Sequence, residues 1–193
     1  MEFKIYNARE HELIDGCRKG DKLAQKNLYE TYSSKMYTVC YRYVRNRMEA
    51  EDILISAFTR IFEKIGQFRE EGSLEGWIRR IIINESLSFL RKNQAMYLET
   101  DLEQADRELN YEHLNNNLEA EDLLNMISEL PDGYRVVFNM YAIDGYTHRE
   151  IATRLGISEN TSKSQLSRAR VYLQHMLAQY EDEAKKINNE SAT

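Results

Sequence analysis

From His11 to Lys92 the apolar side chains return at steps of three to five residues. A chain that keeps this spacing through three successive segments can bury them only as helices packed side by side. Leu23, Leu28, Tyr32, Met36, Val39, Cys40 and Tyr43 form the first stripe, on a helix expected to begin near Asp21, whose carboxylate can cap it after Gly20. Leu54, Ala57, Phe58, Ile61, Phe62 and Ile65 form the second, between Glu49 and Phe68, where Gly66 begins the closure. After the loop "REEGSLEG", a third helix from Ser73 or Glu75 to about Lys92 is expected to bury Leu74, Ile78, Ile81 and Ile82. A single proline in 193 residues leaves these patterns almost unbroken, and 42% hydrophobic with 30% charged residues suits an all-α protein.

The formal charge of -6 is unevenly spread. Residues 1–92 carry 17 basic and 14 acidic side chains, net +3; residues 93–123 carry 1 and 9, net -8; residues 124–193 carry 8 and 9, net -1. The apolar stripe lapses where the acidity peaks. Residues 93–122 therefore read as an acidic, Asn-rich linker between a first helical domain, 1–92, and a second, 123–180, followed by a polar, frayed tail at 181–193. No run approaches the roughly 18 apolar residues of a membrane span, and "MEFKIYNAREHELIDG" lacks the apolar centre of a signal peptide, so a cytoplasmic protein without membrane insertion is expected. Cys17 and Cys40 form no CxxC pair and fit helical positions where a small thiol is buried.

In the second domain, "LLNMISEL" and "PDGYRVVFNMYAI" read as two helices, with Pro131 in a first turn, where its missing N–H costs nothing. "GYTHREIATRLGISENTSKSQLSRARVYLQ", residues 145–174, then reads as two helices joined at Gly156. Thr147 and Glu150 have the spacing of a capping box, and Ser158 can cap the second helix. Ile151, Ala152 and Leu155 face inward on one helix and Leu166, Ala169 and Leu173 on the other, with Ile157 plugging the turn. Lys163, Ser164, Ser167 and Arg168 are left outside, offering cations and hydroxyls to phosphates and base edges. Ser162 alone interrupts the inner stripe, so its contact is looser or its hydroxyl bonds back to the helix backbone. A helical hairpin can serve packing alone, but cap, small residue, turn glycine, plug and basic outer face together follow the layout of a DNA-reading helix-turn-helix.

The segment "LPDGYRVVFNMYAIDGYTHREIATRLGISENTSKSQLSRARVYL" resembles region 4 of the extracytoplasmic-function (ECF) group of the sigma-70 family, bacterial RNA polymerase initiation factors. The resemblance implies recognition of the -35 promoter element by Thr161, Lys163, Ser164, Gln165, Ser167 and Arg168. Family members commonly read "TVKSRLxRAR" where this chain has "TSKSQLSRAR": Ser162 replaces the valine and Gln165 the frequent arginine.

Further forward, "EAEDILISAFTRIFEKIGQF" resembles the sigma helix that docks on the clamp of the polymerase largest subunit. This implies polymerase-facing roles for Asp52, Ile55, Ser56, Thr59 and Arg60, although Ile55 and Ser56 stand where Gln-Glu is common. "REEGSLEGWIRRIIINESLSFLRKN" resembles the part that captures and melts the -10 element, which implies DNA contacts from Phe68, Trp77, Arg79, Arg80 and Asn84. Opening duplex DNA needs aromatics and cations around flipped bases, and Trp77, Arg80 and Asn84 share one helix flank at i, i+3 and i+7. Trp77 beside Ile78 and Ile81 also fits a core position, and Arg79 and Arg80 also fit a solvated face. In "KMYTVCYRYVRNR" the tyrosines fit core and rim, while Arg42, Arg45 and Arg47 can touch DNA backbone or nothing, so the run reads as structural.

The implied partners are core polymerase, at its clamp and flap region; promoter DNA, duplex at -35 and single-stranded at -10; and an anti-sigma factor. The linker is expected to thread near the polymerase active site and RNA exit path, where a net -8 suits a basic channel. His11, His113, His148 and His175 lack ligand spacing, and no phosphate loop or nucleophile motif is present, so neither enzyme activity, cofactor nor metal is expected. The competing reading is a stand-alone helix-turn-helix regulator that dimerises on a duplex operator.

Overall fold

A computed structural model of the chain describes residues 8–92 and 120–190. Helices and no strand occur among them, in two compact units, Met1–Asn93 and Gln94–Thr193.

The first unit packs α1 (Ala8–Arg18), α2 (Lys22–Val44), α3 (Arg47–Lys64) and α4 (Leu74–Lys92), with a 3-10 turn at Ile65–Gln67 leading into the loop before α4. Side-chain caps start α2, α3 and α4. The Asp21 carboxylate accepts from the Leu23 and Ala24 amides, the Asn46 side chain from those of Met48 and Glu49, and Ser73 Oγ from that of Gly76 at 3.3 Å. Gly16 is fixed by proximity, because a Cβ there would lie 2.6 Å from Cβ of Ala24 across the α1–α2 contact. Leu28, Met36, Val39, Cys40 and Tyr43 meet Ile53, Leu54, Ala57, Phe58 and Ile61, and α4 adds Ile78, Ile82, Ile83 and Leu87. Burial of each large aliphatic side chain stabilises the fold by about 1.5–3 kcal/mol, which is what holds the helices together.

Leu23 leaves the expected stripes, and Tyr32, Phe62 and Ile81 are half-buried rather than buried. Leu23, in the first turn of α2, is 65% exposed. Ile81 is only half-buried, and Ile83 takes the inner place. Both cysteines are buried as expected, and desolvation pushes the thiol pKa values up to about 11 for Cys17 and about 12 for Cys40, leaving both protonated and inert.

The second unit comprises α5 (Ala120–Glu129), α6 (Asp132–Phe138), a π-type turn (Asn139–Ile143), α7 (His148–Leu155) and α8 (Glu159–Glu190). Pro131 stands one place earlier than expected, as the N-cap residue of α6 rather than inside its first turn. Ile127, Leu130 and Ala169 form a core on which Tyr134, Phe138 and Leu173 pack. Arg135, only 1% exposed, donates to the Leu130 carbonyl at 2.8 Å and pairs with Asp132, so a buried cation closes the end of α5. The segment expected to fray from residue 181 continues α8 as helical backbone to Glu190; Glu, Ala and Lys in "EDEAKK" favour that state. The acidic linker lies outside the described residues except for its end, where α5 already begins at Ala120.

Candidate nucleic-acid and polymerase interfaces

α7 and α8 form the expected bihelical unit with its caps in place. Thr147 Oγ1 accepts from the Glu150 amide and Glu150 Oε2 accepts from the Thr147 amide, while Gly156, at φ +71°, adopts the left-handed conformation that ends α7. Ser158 Oγ accepts from the Thr161 amide at 2.9 Å and starts α8. Ile151 of α7 and Leu166 and Ala169 of α8 are buried, Ala169 in the core with Ile127 and Leu130.

Six residues of α8 were expected at DNA, and the structure divides them. Lys163, Ser164 and Ser167 are exposed on the outer side, and Arg168 is half-buried beside them. Thr161 faces the same way, but its hydroxyl is hydrogen-bonded to Ser158 Oγ at 2.8 Å and so belongs to the cap. Gln165 is half-buried and leans over α6, where a Cβ on Gly133 would sit 3.3 Å from its Nε2. In this conformation Gln165 does not project with Lys163, because the missing Cβ of Gly133 leaves a shelf for its amide.

Ser162 has neither of the contacts expected of it. It is fully buried, and its Oγ lies 2.9 Å from Nδ1 of His148, a hydrogen bond joining α7 to α8. The imidazole stacks on Tyr141 with ring centroids 4.5 Å apart. Burial, then the nearby Lys163 and Arg170 cations, lower the His148 pKa, with Glu159 acting the other way. His148 was missed in the sequence, and the signal that could have found it was the hydroxyl on the inner stripe, which needs a partner when buried. Beside it, Arg154 covers the Tyr146 ring at 4.6 Å.

In the first unit, the loop after the 3-10 turn and the start of α4 enclose a cavity of about 440 Å³ lined by Phe68, Gly72, Ser73, Gly76, Trp77 and Arg80, among others. Such a volume falls in the range of small-ligand sites. Phe68, expected at the DNA, is 5% exposed with its ring 5.4 Å from that of Trp77; it anchors the loop, and burial leaves it no free face for a base. Trp77 combines its two readings, being half-buried against Phe68 while lining the cavity. Arg80 is exposed at the cavity, whereas Arg79 is half-buried and reaches Glu75 at 3.9 Å. Asn84 is exposed two turns along, with no hydrogen-bond partner among the described residues.

On α3, Asp52, Ile55, Ser56, Thr59 and Arg60 all lie exposed. Ile55 is 60% and Met48 76% exposed, so an apolar edge accompanies Asp52. Thr59 Oγ1 donates to the Ile55 carbonyl at 2.9 Å, and Arg60 pairs at 3.0 Å with Glu85, a largely buried carboxylate of α4, which holds its guanidinium against the unit.

Residues 28–96 match the family model described as Sigma-70 region 2, and residues 120–173 the one described as Sigma-70, region 4. The chain is 30% identical over 176 residues to the ECF RNA polymerase sigma factor SigW of Bacillus subtilis, covering 85% of this chain and 94% of the relative. It belongs to the ECF RNA polymerase sigma factors. SigE of Mycolicibacterium smegmatis is 28% identical over 85% of this chain, which spans 66% of that relative's length, and the sigma-E factor of Escherichia coli is 25% identical over 82% of this chain and 88% of its own. Among solved structures, the sigma factor RpoE of Bartonella quintana, in complex with the anti-sigma factor NepR, is similar at TM-score 0.49 and 21% identity, over 79% of this chain and 96% of that one.

As an ECF sigma factor the chain directs RNA polymerase to promoters in transcription initiation. The region 2 match takes in α3, the loop and α4, and begins within α2; α1 precedes it. The region 4 match takes in α5, α6, α7 and the first half of α8, which continues past its end. No described helix of this sigma factor is long and apolar enough to cross a membrane.

Proposed function

We propose that the first unit of this sigma factor holds core polymerase through the exposed face of α3 and receives flipped, single-stranded -10 bases in the cavity beside α4, while the outer face of α8 reads duplex -35 DNA. The observation that carries the reading is the cavity itself. It is of small-ligand size, bordered by an aromatic ring and the Arg80 cation, and followed along α4 by the exposed Asn84. Lys163, Ser167 and Arg168 supply the phosphate and base-edge donors of the second grip, and Ser164, whose hydroxyl donates to the Thr161 carbonyl at 3.0 Å, offers its oxygen as an acceptor. On the polymerase the largest-subunit clamp is the partner for Asp52, Ile55, Ser56 and Thr59, with the flap region the partner of the second unit.

Family membership supports an anti-sigma factor as a third partner, and the cytoplasm as the place of action. The connector, with nine acidic side chains against one basic over residues 93–123, threads near the polymerase active site and RNA exit path. Neutralising it should alter initiation more than core binding; equal effects on both would make it a spacer. The reading as a whole is tested by transcription from genomic fragments with purified chain and core polymerase. Promoter-specific starts carrying a common -35 and -10 pattern are expected. Binding of a duplex operator by the chain alone, as a dimer and without promoter-specific starts, would overturn it.

A further inference from the structure

α1 lies ahead of the residues matched to region 2, yet its last residue reaches the loop that borders the cavity. Arg18 Nη2 donates to the Phe68 carbonyl at 2.7 Å, a part-buried bond. Its Nη1 donates to Glu70 Oε1 at 2.7 Å and to Asp15 Oδ1 at 3.2 Å. Glu70 stands at φ +59°, a left-handed conformation that side chains other than glycine adopt at a cost. A glutamate is kept there when its carboxylate is held from outside, and Arg18 holds it. The same guanidinium fixes the carbonyl of Phe68, whose ring is buried against Trp77 on the cavity wall. One planar fork thus pins the loop at two successive points, a geometry open to arginine and not to the single ammonium of lysine.

We propose that Arg18 is a positioning residue for promoter opening, clamping the loop between Phe68 and Gly76 in the shape that keeps the base-receiving cavity open. This rests on the assignment of that cavity to -10 bases. The clamp spans 50 and 52 residues of sequence, from the end of α1 to the approach to α4, so α1 acts at the DNA site without touching DNA. An isolated exposed ion pair would contribute little, but here the guanidinium also satisfies a part-buried backbone carbonyl.

The experiment uses the full chain, alone and bound to core polymerase, on a promoter fragment carrying 2-aminopurine in the -10 element. For Arg18→Met, fluorescence should report open complex reduced about tenfold, equivalent to about 1.4 kcal/mol, with affinity for core polymerase unchanged. In the free chain, hydrogen exchange of the amides at 69–73 should accelerate about tenfold. Arg18→Lys, which keeps the charge and loses the fork, should fall nearly as far. Glu70→Gly, which suits the left-handed backbone and leaves the Phe68 carbonyl bond intact, should lose less than Arg18→Met. Wild-type opening by Arg18→Met overturns the proposal, as does recovery by Arg18→Lys, which would make Arg18 a charge contact to phosphate. An equal fall in opening and core binding overturns it in favour of a scaffold role. If wild-type holoenzyme itself gives no -10 signal, the assignment of the cavity fails and the proposed role in opening fails with it; exchange at 69–73 still reports whether the clamp orders the loop.

Discussion

The hydrogen bond between His148 and Ser162 makes a sharp demand on the second unit. Replacing Ser162 by valine, the residue common in related sigma factors, puts methyl groups where Oγ now sits 2.9 Å from Nδ1. Carbon atoms pack best at about 3.5–4.0 Å, so the imidazole must shift by roughly half an ångström or more on its Tyr141 stack, and Nδ1 loses its partner. Overpacking of this size costs about 1–3 kcal/mol, and an orphaned half-buried acceptor or donor about 1 kcal/mol, so Ser162→Val should destabilise the α7–α8 contact by about 2 kcal/mol. Hydrogen exchange of the α8 amides from Thr161 to Leu166, measured in the full chain, should then accelerate about 30-fold. Combining it with His148→Phe, which keeps a ring on Tyr141 and removes the polar atom, should recover part of the loss through a coupling of about 1–2 kcal/mol. The pH dependence follows from the same site. His148 titrates below its ordinary value in the folded state, so between the folded and unfolded pKa values the unfolded chain holds more protons. Its contribution to stability is therefore complete well above about pH 6.5 and is lost as pH falls below it toward the lowered folded value. Exchange protection of α8, corrected for intrinsic rates, should fall between pH 7.5 and 5.5 in wild type and fall less in His148→Phe. Additive single substitutions within about 0.5 kcal/mol, with equal pH profiles, would refute the coupling.

Other consequences can be measured directly. Lys163→Ala should weaken promoter binding across sequences and reduce the slope of log affinity against log salt by about 1; an unchanged slope would mean that Lys163 meets no phosphate. Asn84→Ala should impair -10 opening while thermal unfolding and core binding stay at wild-type values, because the side chain is exposed and unbonded within its unit. Ile55→Asp should lower affinity for core polymerase at least tenfold in a pull-down titration without destabilising α3, since the position is 60% exposed. Arg135→Met should destabilise the second unit by about 1–3 kcal/mol, read as loss of exchange protection in α5 and α6, because the Leu130 carbonyl loses its charged donor.

What the sequence discloses and what it withholds divide along the range of the interactions. Every cap expected from spacing is present, at Asp21, Thr147, Gly156 and Ser158, because a cap is a contract among residues three or four apart, within one helical turn. The stripes loosen at their margins, Leu23 in a first turn and Tyr32, Phe62 and Ile81 at an edge, where one residue of rotation exchanges core for solvent. The site was legible as a set of residues, since cations and hydroxyls on the outer side of α8 follow from its inner stripe. Its internal division was not. Gln165 leaves the outer face because Gly133, 32 positions earlier, gives its amide a place to lie. Phe68 leaves the DNA surface because Trp77 and Arg18 fix it from two sides, one of them on another helix. Ser162 shows why a local anomaly is the best sequence signal for such distant pairing. A hydroxyl on an apolar stripe announces that a partner must exist, but 3.6-residue periodicity carries no information about which histidine supplies it. Only the close approach of α7 to α8, set by the turn at Gly156, selects His148 among the four.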